Sequence, residues 1–279
     1  MNDNKILIVI VLYKQSVSDS NAFNSIKKYL ADYQVYFYDN SPEYNKENDL
    51  YIRSGNIYIH NPSNPGLSFV YNQAAEYALN KSYEWLLLLD QDTVLPDCIL
   101  DFYQSIIKEY PEIMLFAPCV KIKDTNYYIS PGKKILKRAI SKGQKMTGKL
   151  SSKKYTAINS GLLINVNAYL KCGGYNEKVF LDFSDYQFFE RFLRYYNNFY
   201  VMDVTLEQEL SNSETDVNKL INRFKTFCYC ARNCEMNSFF DIIVYLIVVS
   251  GRAIKLFVRI KKIVLFRIVL CNFILGLKP

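Results

Sequence analysis

The sequence predicts an α/β fold built on a mainly parallel sheet with helices on both faces. Two observations carry that expectation. Apolar runs without alternation recur at residues 6–13, 35–38 and 85–89, the pattern of strands covered on both faces. Segments with apolar residues at helical spacing separate them, so that the order up to residue 118 reads β-α-β-β-α-β-α-β, the signature of a layered α/β domain.

The first run, beginning at Ile6, follows a start with no basic region and no small-residue cleavage site; it reads as a buried strand rather than a leader. Ala22, Phe23, Ile26, Tyr29 and Leu30 then mark a helix over residues 21–32. A second strand, Val35 to Tyr38, ends on Asp39-Asn40-Ser41-Pro42. Asp39 is either a turn residue or a carboxylate that accepts a hydrogen bond from a pyrimidine imide N–H. A third strand ends at His60 and enters Asn61-Pro62-Ser63-Asn64-Pro65-Gly66, a loop by its local chemistry. The helix that starts near Ser68 carries Asn72 in its first two turns. Such a loop feeding a helix N-terminus can hold an anion or a ribose, or simply connect two elements.

The run Trp85-Leu86-Leu87-Leu88-Leu89 stops on Asp90-Gln91-Asp92. Ligands of α/β sheets gather at the carboxyl ends of strands, and alternation along a strand aims Asp90 and Asp92 the same way. Both can then reach one hard cation, Mg2+ or Mn2+, bridged to a diphosphate. The competing reading makes Asp92-Thr93 the cap of a helix over residues 96–110. After a strand at 113–118, the lysine-rich span 121–154 reads as a flexible insertion, either a lid or a solvated loop. Asn159-Ser160-Gly161 interrupts the next strand, a break that often marks close approach of a ligand. Phe188, Phe189, Phe192, Leu193 and Tyr196 place Asp185 in the first turn of an amphipathic helix. There it is a general-base candidate or a cap.

With 279 residues, half of them hydrophobic, the chain can hold one large domain or a domain with an appendage. Its net charge of +7 is concentrated at the end: residues 239–279 hold seven basic side chains against one acid, Asp241. Seven cysteines at irregular spacing indicate reduced thiols and a cytoplasmic setting. Cys228, Cys230 and Cys234 lack a nearby fourth ligand and read as buried helix thiols rather than a zinc site.

Taken in order, Val11-Leu12-Tyr13, Asp39-Asn40-Ser41, Asn64-Pro65-Gly66 with Asn72, Leu89-Asp90-Gln91-Asp92, Asn159-Ser160-Gly161, Phe180-Leu181-Asp182 with Asp185 and Arg191, and Arg223 with Arg232-Asn233 resemble the inverting family 2 glycosyltransferases of GT-A fold, closest to the bacterial rhamnosyltransferase branch. The resemblance spans about residues 5–235. It implies a nucleotide-sugar pocket formed with Tyr13, Asp39, Asn64, Gly66, Asn72, Asp90 and Gln91, a divalent metal on Asp92 and Asp90, and Asp185 as the base that deprotonates an acceptor hydroxyl. Asn159, Ser160, Gly161, Asp182 and Arg191 would shape the sugar and acceptor side. Three positions depart from the family pattern. Lys14 replaces a frequent Asn, Gln187 a usual acid, and Gln208 a His that often approaches the metal. Gln208 would then be a weaker ligand through its amide oxygen.

The expected organisation is a GT-A domain over residues 1–215 followed by a helical, basic and apolar region over 216–279. No apolar run in that region reaches the ~20 uncharged residues of a spanning helix. Amphipathic helices lying on an anionic membrane fit its composition, as does packing on the domain or on a second copy of the chain. Nucleic acid is a poorer partner, because aliphatic rather than stacking aromatic residues separate the basic ones. The resulting expectation is an enzyme on the inner face of the cell membrane. It would move L-rhamnose from dTDP-rhamnose, or else glucose or galactose from a UDP donor, to a lipid-linked glycan. A catalytically silent nucleotide-binding scaffold is the reading from a different class.

Overall fold

In the computed structural model, which describes residues 5–53, 55–208 and 215–279, strand β1 (Ile6–Leu12) is buried along its whole length. Burial on both sides follows from its neighbours. Strand β2 (Val35–Asp39) pairs with it in parallel on one edge and β4 (Trp85–Asp90) on the other, and β3 (Ile57–His60) extends the sheet beyond β2. Alternate residues enter opposite layers. Leu7, Val9, Val11, Leu86 and Leu88 pack under α3 (Leu67–Asn80). Ile8, Ile10, Leu12, Leu87 and Leu89 pack against α1 (Asn21–Ile26) and α4 (Ile99–Glu109).

The other half of the sheet introduces a reversal. Strand β11 (Leu162–Asn165) runs antiparallel between β4 and β5 (Leu115–Ile122), and β12 (Asn198–Gln208) returns to the parallel sense beside β5. Because β11 is reversed, the loop before it emerges at the edge where β4 ends. Helices α5 (Val166–Lys171) and α6 (Ser184–Leu193) follow β11 and close the layer that contains α3.

One sequence expectation changes. Residues 121–154 are not a flexible insertion but a set of short strands. Strand β6 (Tyr128–Ser130) pairs with β5, β9 (Gly148–Ser151) pairs with β12, and β7 (Gly132–Ile135), β8 (Arg138–Ile140) and β10 (Tyr155–Thr156) form a small separate sheet. Lysines on its exposed positions dilute the hydropathy by which strands are recognised. The short α2 (Asp49–Arg53) also gave no periodic signal.

Beyond the sheet lie α7 (Val217–Asn233), α8 (Phe239–Ile260), α9 (Val264–Ile268) and a π-helical turn (Val269–Ile274). Phe224, Phe227, Tyr245, Val249 and Leu265 form their core, joined by Val179 and Phe183 from the loop before α6. Cys228 and Cys230 are buried as helix thiols in α7 and Cys234 is buried at its C-cap, and burial pushes the Cys228 thiol up to about 12. Among the described residues no helix is long and apolar enough to cross a membrane. Glu209 and Leu210, at the presumed junction before residue 216, and Met1 to Asn4, on which the leader argument rests, lie outside the described residues.

Gly161 controls the crossing from the loop into β11. Its φ is +79°, and an added Cβ would lie 2.5 Å from Leu206 Cδ1 and 2.6 Å from Pro118 Cγ. Gly161→Ala should therefore destabilise the chain by about 2–3 kcal/mol through overpacking and backbone strain. A lower urea midpoint with an unchanged denaturant slope would register it.

Candidate active site

The site lies along the carboxyl ends of β2, β1 and β4. In register, Leu12 of β1 faces Asp39 of β2 on one side, and Val11 faces Asp90 of β4 on the other. At ordinary strand spacing the two carboxylates are carried on strands roughly 10 Å apart. That separation suits opposite ends of a nucleoside diphosphate.

Asp39 is buried. Its Oδ1 accepts from the Ser41 amide at 2.8 Å and its Oδ2 from the Tyr58 hydroxyl. It is therefore a turn residue and, at the same time, part of the wall of an open cavity of about 500 Å³ lined also by Lys14, Gln15, Ser41, Pro42 and Asn45. Asn48 Nδ2 donates to Tyr58 at 3.0 Å, and Asn48 Oδ1 accepts from the Val17 amide. The two contacts tie the cavity to the loop after β1. Gln91 closes the gap between β1 and β4: its Oε1 accepts from the Tyr13 amide at 2.7 Å and its Nε2 donates to the Tyr13 carbonyl. The Tyr13 ring is left 44% exposed at the rim.

Asp90 gathers three donors from three elements. Ser160 in the loop before β11 and Gln208 at the end of β12 donate to its Oδ2, and Tyr71 of α3 donates to its Oδ1 at 3.4 Å. Burial raises the pKa of Asp90, and these three hydrogen bonds oppose the rise. Asp92 is not a helix cap, since α4 begins only at Ile99 after Cys98. Among the described residues no three Asp, Glu, His or Cys side chains converge to hold a metal ion. The donor set still fits Mg2+ or Mn2+, which are commonly held by one or two carboxylates together with substrate phosphates. Gln208 turns its amide nitrogen to Asp90.

Asp185 is the second residue of α6, not its cap; that position belongs to Phe183. Phe183 has φ +67°, an uncommon conformation for a bulky residue. Phe227 at 4.8 Å and Tyr245 at 5.7 Å hold its ring. Burial raises the Asp185 carboxyl to about 6. The Tyr186 amide, 2.6 Å away, opposes that shift, whereas the charges of Asp182 and Asp90 reinforce it. Asp182 itself faces Arg223 at 3.1 Å. Asn159 accepts from the Tyr175 hydroxyl at 2.6 Å.

Other sequence candidates have structural partners instead. Asn72 does not face the cavity: it accepts from Tyr169 and from the Tyr175 amide, and donates to the Tyr175 carbonyl and Glu177. Gly66 is not an anion cradle. An added Cβ would lie 2.5 Å from Phe180 Cβ, and the Leu67 amide at the helix start donates to the Phe180 carbonyl. Asn64, exposed in a left-handed turn, donates its amide to Asn61. Gln187, buried in α6, faces Asn176. Arg191 is engaged with protein groups. It donates to the carbonyls of Gly173 and Gly174, both at 2.8 Å, and pairs with Glu235. Tyr58, Tyr71, Tyr175 and Glu235 went unrecognised in the sequence; only their alternation or helical spacing marks them, and that also describes core residues.

No family model and no curated protein matches the sequence. Solved structures do. S. aureus TarS 1–349 in complex with UDP-GlcNAc superposes with a TM-score of 0.54 at 12% identity, over 87% of this chain and 70% of that one. The mannosyltransferase PcManGT from Pyrobaculum calidifontis, in complex with GDP-Man and Mn2+, gives 0.54 at 8% identity, over 99% and 81%. Against the longer TarS structure the TM-score is 0.53 at 12% identity, over 86% of this chain, which spans 42% of that one. At these identities the likeness is one of fold. The chain has the GT-A-like fold of glycosyltransferases, with a helical C-terminal region.

Arg191→Lys tests the reassignment of that residue. A lysine cannot serve two carbonyls and a carboxylate together, so stability should fall by about 2 kcal/mol while nucleotide affinity, read by calorimetry, stays at the wild-type value.

Proposed function

We propose that the chain is an inverting glycosyltransferase acting on a nucleotide-sugar donor. The observation that carries this reading is Asp185, a half-buried carboxyl raised to about 6 that stands close enough to Asp90 to feel its charge. A base poised just below neutral pH is ionised in use yet basic enough to take a proton. Asp185 would remove the proton of an acceptor hydroxyl as that oxygen bonds to the anomeric carbon. The bond from that carbon to the diphosphate breaks on the opposite face, and the configuration inverts.

The rest of the cleft supports the donor side. Asp39 would accept from an N–H of the base, the Tyr13 ring would frame it, and Asp90 with Ser160 and Asn159 would meet the donor ribose or sugar. Asp92, with Asp90 near it and the Gln208 amide oxygen, would hold Mg2+ or Mn2+ on the diphosphate. Such an ion offsets the charge that develops on the leaving group. The resemblance to the rhamnosyltransferase branch favours dTDP-L-rhamnose, with UDP-glucose or UDP-galactose as the second choice.

The C-terminal region supports our reading of acceptor and location. Phe239, Ile243, Ile247, Ile254 and Val258 of α8 are exposed at helical spacing, near Lys255, Arg259, Lys261 and Lys262. An apolar face bordered by basic residues suits the headgroup region of an anionic bilayer. We place the enzyme on the inner face of the cell membrane, acting on a lipid-linked glycan.

Purified protein incubated with a panel of nucleotide sugars and a lipid-linked acceptor extract should release nucleoside diphosphate from one donor, and EDTA should abolish the release. Release that persists in EDTA would overturn the metal assignment. With the true donor, kcat/KM should rise with pH through about 6 as Asp185 ionises.

Asp185→Asn should lower turnover at least 100-fold and leave donor affinity unchanged. Its effect on stability has the opposite sign. A carboxyl whose pKa is raised by folding stabilises the fold below its unfolded value, near 4, and that contribution is lost as pH rises through about 6. The variant should therefore be more stable than wild type at pH 8, by about 2 kcal/mol after allowance for the partial exposure of Asp185. Thermal melts should show the advantage vanishing towards pH 4.

A further inference from the structure

Asp182, three residues before Asp185, is surrounded by more positive charge than it balances. Its Oδ1 lies 3.1 Å from Arg223 of α7 and 3.8 Å from Arg252 of α8, and its Oδ2 is buried with no hydrogen-bond partner. The Arg252 guanidinium is held 4.0 Å over the Phe227 ring and keeps a third of its side chain exposed. Arg223 is 46% exposed. Arg138, at the exposed start of β8, makes no side-chain ion pair or hydrogen bond among the described residues. It is nevertheless near enough for its charge, with that of Arg223 and with burial, to lower the pKa of Arg252. The other cation of this turn, Lys137, is neutralised by Asp241 at 3.0 Å and by Glu190.

Two guanidinium groups from α7 and α8 thus share one carboxylate three residues from the base, and Arg138 of β8 adds its charge beside Arg252. Guanidinium forks match phosphate oxygens in pairs, and a buried carboxylate oxygen without a donor calls for a hydroxyl. We propose that Arg138, Arg223 and Arg252 form an acceptor subsite for a phosphate or diphosphate group, with Asp182 Oδ2 accepting from a hydroxyl of the sugar attached to it. This deepens the glycosyltransferase reading and rests on it for the word acceptor. The substrate class is a glycosyl phosphate or diphosphate rather than a neutral glycan.

The test uses the full chain and inorganic pyrophosphate as probe, titrated calorimetrically in the presence of dTDP and UDP, both saturating, so that the donor's own diphosphate site is filled for either donor. Wild type should bind pyrophosphate, and the double variant R138Q/R223Q should bind it at least 10-fold more weakly with an unchanged melting temperature. No binding to wild type, or equal binding to both, would overturn the subsite. Phosphatidylglycerol vesicles form the second arm: if the variant loses vesicle binding while keeping pyrophosphate, the arginines contact lipid headgroups and the proposal fails. Donor turnover is measured separately. A wild type that binds pyrophosphate through these arginines but turns over no donor would sink the enzymatic reading and leave the anion site standing.

Discussion

A carboxylate buried at the end of a strand has to be surrounded by donors, and meeting that requirement at Asp90 organises much of the fold. Ser160, Gln208 and Tyr71 reach it from the loop before β11, from the end of β12 and from α3. Ser160 arrives only because β11 runs against its neighbours and so begins where β4 ends. Gly161 permits that entry, since any side chain there would collide with Leu206 and Pro118. The reversal of β11 between the parallel strands β4 and β5 is thus what delivers Ser160 to the carboxylate at the end of β4.

The C-terminal helices have a comparable part in holding Asp185. Phe183 keeps a left-handed backbone because Phe227 and Tyr245 grip its ring. Arg191 joins α6 to Glu235 and to the Gly173-Gly174 turn. A boundary at residue 215 consequently separates elements by sequence but not by packing, for Val179 and Phe183 belong to the same core as α7 and α8.

The strands around the site were legible in the sequence because double burial leaves unbroken apolar runs, and each run stops on a carboxylate at the strand end: Asp39, then Asp90. Asp185 was legible as a first-turn residue by the helical spacing behind it. Asn72 and Arg191 were misplaced for a common reason. Polar residues that satisfy buried backbone carbonyls look, in one dimension, like polar residues that satisfy a ligand, and only the partners Tyr175, Glu177, Gly173 and Gly174 distinguish them. The span 121–154 was misread because a small solvated sheet carries too few buried residues to leave a periodic mark.

The loop before α6 is anchored by its backbone. The Phe180 carbonyl accepts from the Leu67 amide, and Gly66 leaves room for no side chain beneath it. Its backbone course is therefore set at Phe180, whereas Asp182 is tied to Arg223 and Arg252 and acts on Asp185 through its charge. A change of side chain at Asp182 would thus leave the strand ends in place and still be felt at Asp185, which makes this short loop a point where helices remote in sequence can retune a carboxyl without moving it.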